Sequence, residues 1–255
     1  MTKSIEINGL KIGTGMPKIC VPITGTSIEE IVTQAKAIAA KNPDLVEWRA
    51  DFFEELSDPN KSDMAVAAIT KEIATTPLIF TYRTKGEGGN GGITKTDYLK
   101  LIEMVTRNSK VPLIDVELFT ADDKCEEIME IIHSKGKKAI ASYHNFTLTP
   151  PKDKIIEVLK KMDSRGADIL KVAVMPKVKA DVDILLETTA EMSKVTGKPL
   201  ITMSMAKLGS PSRVWGEKYG SAVTFALVGE GTAPGQLEFD ELKRLLVEVH
   251  DELVK

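Results

Sequence analysis

Residues 138–175, KAIASYHNF TLTPP KDKIIEVLKKMDSR GA DILKVAVM, set the reading of the whole chain. The first nine alternate along a strand. Ile155, Ile156, Leu159 and Met162 then recur at helical spacing, and the last eight form a nearly continuous apolar run broken only by Lys171. A half-buried strand, an amphipathic helix and a buried strand follow one another. The same alternation extends outward in both directions. Further strands are predicted at KICVPIT (18–24), LVEWRAD (45–51), PLIFTYRT (77–84), VPLIDVEL (111–118), PLITMSMAK (199–207) and SAVTFALV (221–228). Helical patterns occupy the gaps, at 27–41, 122–135 and, after the last strand, 239–254. Between the last two strands the chain is short and rich in Gly, Ser and Pro, so that helix should be stunted. Asn8-Gly9 within SIEINGLKIG is a strong two-residue hairpin signal. Eight strands, each followed by a helical segment, are the count of a closed (β/α)₈ barrel, an α/β fold. A doubly wound open sheet is the structural rival. With no linker-like shift in composition, residues 1–255 read as a single barrel domain, of which 1–15 form an N-terminal hairpin.

Composition narrows the class of function. Apolar residues make up 42% of the 255 residues, enough for a sizeable core. A net charge of −3 argues against bulk electrostatic binding to nucleic acid or to anionic membranes. The opening MTKSIEINGLKIG lacks the apolar run of a signal peptide, and no stretch reaches membrane-spanning length, so a cytoplasmic protein is expected. Cys20 and Cys125 are too few and too far apart for a disulfide framework or a zinc site.

Barrel active sites sit at the C-terminal ends of the strands. There the sequence places Glu47, Arg49 and Asp51, then Arg83, Asp115, Glu117, His144 and Lys171. Alternation turns Val46 and Trp48 toward the helices and Glu47 and Arg49 toward the barrel mouth. Lys171 in its apolar strand is either a desolvated amine nucleophile or a structural lysine paired with Asp115 or Glu117. His144 tips the reading toward chemistry: it ends the neighbouring strand, and a histidine can move protons in both directions near neutral pH. His133 and His250 lie in helical patterns and read as solvated bystanders. Arg49, Arg83 and Arg213 lie at strand ends or in the loop after the seventh strand. Their planar forks suit an anionic substrate, or else pair with Glu47 and Asp51. GEGGNG (86–91) has the spelling of a dinucleotide loop, but Glu87 would oppose a pyrophosphate and the next helix starts near Thr94. GEGTAPGQ (229–236) is either a phosphate cradle or a mobile lid.

At these residues the sequence resembles the type I 3-dehydroquinate dehydratases over essentially its whole length. The carriers, in order, are EWRADFF (47–53), TYRTKGEGG (81–89), SYHNF (142–146), DILKVAVM (168–175), MSMAKLGSPSR (203–213) and TAPGQ (232–236). The resemblance implies an imine between Lys171 and the ketone of 3-dehydroquinate, proton transfer by His144, and Glu87 orienting that histidine. It implies substrate contacts from Glu47, Trp48, Arg49 and Arg83, with Arg213 on the carboxylate and Met203 and Met205 lining the pocket. Thr232 and Gln236 would close over the ligand. No metal or organic cofactor is implied, and the family pattern suggests a homodimer. Thr232 and Pro22 stand where the pattern leads one to expect serine. The readings to be separated from this one are a class I aldolase, which uses the same lysine chemistry, and a non-catalytic small-molecule-binding barrel.

Overall fold

The computed structural model describes residues 4–229 and 233–255. Asn8 and Gly9 both adopt left-handed backbone, φ +50° and +83°. That conformation lets two residues join β1 (Ile5–Ile7) to β2 (Leu10–Ile12). Eight parallel strands follow in ring order: β3 (Lys18–Ile23), β4 (Leu45–Arg49), β5 (Leu78–Thr81), β6 (Leu113–Glu117), β7 (Lys138–Asn145), β8 (Ile169–Val174), β9 (Leu200–Ser204) and β10 (Val223–Leu227). β10 pairs with β3, which brings the two ends of the ring together. The β9–β10 seam is held by a single Leu200–Ser221 bridge, in which the Ala222 amide donates to Leu200 O at 2.7 Å. The Ser221 hydroxyl accepts from the Thr202 amide at 3.0 Å, so a side chain extends the ladder there. β11 (Leu237–Glu238) adds to β10.

The helices are α1 (Ile28–Ala39), α2 (Pro59–Ile73), α3 (Lys95–Thr106), α4 (Leu118–Ala121), α5 (Cys125–Ser134), α6 (Lys152–Ser164), α7 (Lys179–Val195), α8 (Ser210–Val214), α9 (Gly216–Tyr219) and α10 (Phe239–Leu253). α1 shows how sequence makes them. Ser27 caps its Glu30 amide, and Ile31, Ala35 and Ile38 place one buried stripe against the barrel. Between β9 and β10 only the short α8 and α9 form, as the Gly/Ser/Pro content predicts. The strands are shorter than the apolar runs suggest. Asp51, Arg83 and Met205 lie just past the paired residues, where the chain turns outward, rather than within strands.

Alternation sorts the barrel wall into two faces. Outward-facing Val21, Val46, Trp48, Phe80, Val116, Leu170 and Val172 pack beneath the helices. Inward, each of the eight ring strands gives one apolar residue to a lower tier: Cys20, Leu45, Ile79, Leu113, Ile140, Ile169, Ile201 and Val223. Ile7 and Ile12 of the hairpin join this tier and plug the barrel from below. Two residues further along the strands, the inward positions become Pro22, Glu47, Thr81, Asp115, Ser142, Lys171, Met203 and Phe225. From β4 to β8 the interior thus changes from apolar to polar or ionic in one step of the pleat, while β3, β9 and β10 stay apolar there.

The plug should contribute measurably to stability. Ile12→Ala removes a fully buried side chain and is expected to cost about 2–5 kcal/mol in urea unfolding. A loss below about 0.5 kcal/mol would mean that the hairpin does not seal the barrel.

Candidate active site

β8 carries Lys171 into the barrel interior, where its Nζ lies 3.2 Å from Glu47 Oε1 and 3.2 Å from Asp115 Oδ2. It also sits 4.8 Å above the centre of the Phe225 ring. The expected choice between Asp115 and Glu117 resolves to Asp115, joined by Glu47. Asp115 is itself held on its other oxygen by Ser142 Oγ at 2.6 Å and Arg83 Nη2 at 2.8 Å. Burial disfavours its charge, but Arg83, Lys171 and Ser142 outweigh that and hold Asp115 below the usual carboxylate range.

Arg83 is the hub of this cluster. Besides Asp115, its Nη1 donates to Ser142 Oγ at 2.9 Å, Glu117 Oε1 at 3.1 Å and Glu87 Oε2 at 3.4 Å. Burial opposes its charge, yet Asp115, Glu117 and Glu87 more than compensate and keep it firmly ionised. Its fork is thus occupied by the protein's own carboxylates, although Arg83 also reaches the cavity wall. Glu117 braces it from behind, accepting from the Thr84 amide and from the hydroxyls of Thr84 and Thr120.

Glu87 comes from the glycine-rich loop, and the geometry of that loop explains the glycines. The Lys85 amide donates to Gly91 O and the Gly91 amide to Arg83 O, folding the chain back on itself. A Cβ at Gly89 would lie 2.2 Å from Arg83 O, and one at Gly91 2.4 Å from the Tyr82 ring. The tight return aims Glu87 inward, and α3 begins only after the Thr94 cap. Glu87 Oε2 accepts from the His144 ring Nδ1 at 2.9 Å and from the His144 amide at 3.2 Å. Burial pushes Glu87 well above the usual carboxylate value, Arg83 pulls against this, and Glu117 and Asp115 add to the rise. Burial pushes His144 well below its usual value, helped by Arg83, Lys171 and Arg49. Arg83 Nη1 and the His144 amide already donate to Glu87 Oε2, which makes that oxygen an acceptor and favours the tautomer with the proton on Nδ1. The other ring nitrogen, with no hydrogen-bond partner among the described residues, is then a lone-pair base. Phe146 stacks on the ring at 6.5 Å between centroids.

The remaining arginines differ sharply. Arg49 is closed into a two-point ion pair with Asp51, both contacts 2.8 Å, and lies over the Phe52 ring. Arg213, on α8, is 1% exposed and has no carboxylate partner among the described residues. Its Nη2 donates to Pro234 O at 3.3 Å, its Nη1 lies 4.0 Å from Met203 Sδ, and its Nε is buried without a partner. Desolvation alone pulls it down to about 10. A buried guanidinium in this state calls for an external anion.

These side chains line one narrow cavity. Its walls include Glu47, Arg49, Arg83, Glu87, His144, Lys171, Met203, Met205, Arg213 and Gln236, together with Phe225, Phe146 and Ala233. Gln236 Oε1 accepts from the Ala233 amide at 3.2 Å. Thr232 lies outside the described residues. Trp48 does not reach the cavity: it is fully buried under the helices, edge-on to Phe53 at 5.9 Å and Phe80 at 5.6 Å. Strand alternation overrides its place in the EWR motif. Pro22 pairs in register with Glu47 but is not part of the cavity wall. His133 and His250 lie outside the cavity wall, partly exposed, as bystanders to its chemistry, although they are hydrogen-bonded to Asp168 at 2.7 Å and Glu217 at 2.8 Å. Ser142 and Phe225 are site residues that the sequence reading passed over. Each occupies an inward position on its strand, and that alternation was the available signal.

An amine, a proton-transfer pair and an unpaired guanidinium thus meet in one cavity. Comparison with known proteins finds likenesses over nearly the whole chain. The 3-dehydroquinate dehydratase of Clostridium botulinum (strain Eklund 17B / Type B) is 42% identical over 254 residues, covering 99% of this chain and all of that one. The crystal structure of the type I enzyme from Clostridium difficile, solved with covalently modified comenic acid, superposes with a TM-score of 0.95 at 40% identity, covering 99% of this chain and 100% of that one. The Geobacillus kaustophilus HTA426 3-dehydroquinate dehydratase gives a TM-score of 0.95 at 33% identity, covering 98% and 97%. Residues 19–252, nearly the whole barrel, match the type I 3-dehydroquinase family, and the chain belongs to that family.

Proposed function

We propose that this protein dehydrates 3-dehydroquinate to 3-dehydroshikimate, with Lys171 as the imine-forming amine and His144 as the proton-transfer residue. Family membership supports the reaction. The observation that carries the assignment of residues is the meeting of Lys171, the His144–Glu87 pair and the carboxylate-free Arg213 around one cavity.

Lys171 Nζ adds to the substrate ketone, and the carbinolamine loses water to give a protonated imine. The iminium draws electrons from the adjacent C–H bond, and His144, held by Glu87, removes that proton. The same imidazole returns a proton to the departing β-hydroxyl. Elimination leaves a conjugated iminium on Lys171, and water hydrolyses it to free the enone and the amine. Arg213 fixes the substrate carboxylate, while Glu47, Arg49 and Arg83 contact its hydroxyls beside Met203, Met205, Gln236 and Thr232. Arg49 and Arg83 act from within their ion pairs, so they supply orientation and field more than a free fork. Trp48 supports this wall from behind. The whole chain acts as one barrel domain in the cytoplasm, as a homodimer. The family resemblance supports that placement, and no described helix is long and apolar enough to cross a membrane.

Borohydride added with 3-dehydroquinate is expected to fix the ligand's mass on the Lys171 peptide, and Lys171→Met to lose both the label and the ultraviolet signal of enone formation. Label on another lysine would overturn the assignment. His144→Ala keeps the amine and its carboxylates, so adduct should accumulate on Lys171 without reductant, visible in the intact mass. Near-normal turnover in that variant would remove His144 from the mechanism. Arg213→Lys keeps the charge but loses the fork, and should weaken substrate binding by about 1.5–3 kcal/mol, read as a rise in KM. Unchanged kinetics would place the carboxylate on another residue.

A further inference from the structure

Two carboxylates stand at equal distance from Lys171 Nζ, and their surroundings give them different work. Glu47 faces the cavity, so an entering ligand competes for it. Asp115 stands outside the cavity wall and is 1% exposed. Its Oδ1 is fixed by Arg83 Nη2 and Ser142 Oγ, leaving Oδ2 for Nζ alone. Ser142 is in register with Lys171 across β7 and β8, so the brace and the amine move as one unit.

We infer that Asp115 is a further catalytic residue: the permanent counter-ion of the Lys171 nitrogen, which accepts the N–H of the iminium and so keeps the imine protonated throughout turnover. The inference rests on the imine at Lys171 proposed above. Charge balance favours it. Counted from the ammonium, R–NH₃⁺ and a ketone give R–NH⁺=C and one water, so the nitrogen begins and ends with one positive charge. A fixed anion matches both states without taking a proton from solvent. The iminium has one N–H where the ammonium has three, and it can satisfy only one of the two carboxylates. Asp115 is the one that no ligand displaces. Glu47 is thereby released to the substrate. A buried cation that lost Asp115 would shed its proton, and a neutral imine is a poor electron sink.

Cyanoborohydride reduces protonated imines selectively, whereas borohydride reduces both forms, so the ratio of the two trapping yields on Lys171 reports protonation. With 3-dehydroquinate, the native protein is expected to give a constant ratio from about pH 6 to about pH 9, well beyond the range in which a free imine stays protonated. A ratio that falls through neutral pH in the native protein overturns the proposal, whether or not any variant folds. Asp115→Asn should keep borohydride trapping but lose roughly tenfold in the ratio at alkaline pH, with the loss relieved as the pH is lowered. Ser142→Ala, which loosens the brace but leaves the charge, should keep the native ratio. If Asp115→Asn instead lowers both yields equally at every pH, Asp115 merely positions the lysine and the counter-ion role fails. No adduct with either reagent in the native protein would overturn the imine at Lys171 itself.

Discussion

A charge inside a barrel has no water to hydrate it, so the opposite charge must come from the walls. Lys171 can occupy the middle of β8 because β4 and β6 each send a carboxylate inward at the same height, 3.2 Å from its nitrogen. Asp115 in turn needs Arg83, and Arg83 gathers Glu117 and Glu87 around itself. Glu87 then reaches His144, so a continuous ionic chain runs from the amine to the imidazole. Such networks contribute little net stability compared with an apolar filling of the same volume. Their cost is borne by the apolar tier and the hairpin below, and what they provide is a fixed direction for each charged group. Arg213 is the exception. It carries a buried charge that nothing among the described residues neutralises, and that imbalance matches a ligand bearing a negative group.

Much of this was legible in the sequence. Eight apolar runs separated by helical periods specify the barrel, and alternation alone turns Glu47, Arg49, Asp115 and Lys171 inward and Trp48 outward. Strand pairing is where sequence reasoning stops. Asp115 and Glu117 are equally good partners for Lys171 on paper, because both face inward from one strand. By register Glu117 shares a row with Ser142 and Lys171, yet the tilt of barrel strands brings Asp115, two residues earlier, to the amine and leaves Glu117 to brace Arg83. The arginines show the same limit. Three forks at one barrel face look equivalent as residues, yet Asp51 closes one, four acceptors occupy the second, and only the third stays without an anion. His133 and His250 found partners in Asp168, 35 positions away, and Glu217, 33 positions away, separations that no local pattern encodes.

The glycine loop makes a related point about motifs. GEGGNG shares its spelling with a phosphate-binding loop, but the letters answer a different steric demand. In a nucleotide site glycines admit a pyrophosphate. Here Gly89 and Gly91 admit the backbone and ring of the chain's own preceding strand end, and the result is a carboxylate delivered to the imidazole. The residue between the glycines, not the glycines themselves, tells the two apart.

The seam between β9 and β10 gives the barrel unequal sides. From β3 through β9 neighbouring strands share ladders, the shortest being the two pairs between β5 and β6, whereas at the seam the described residues offer one bridge and one serine hydroxyl. Regions with fewer backbone hydrogen bonds open at lower free energy than the molecule as a whole. β9 bears Met203, and α8, which follows it, bears Arg213, so the wall that carries the guanidinium without a carboxylate partner is the one beside the weak seam. Lys171, Glu47 and Asp115 stand on β8, β4 and β6, each paired with a strand on both sides. Elasticity is thus segregated across the cavity: the buried amine stands between paired strands, while the wall beside the seam yields at lower free energy.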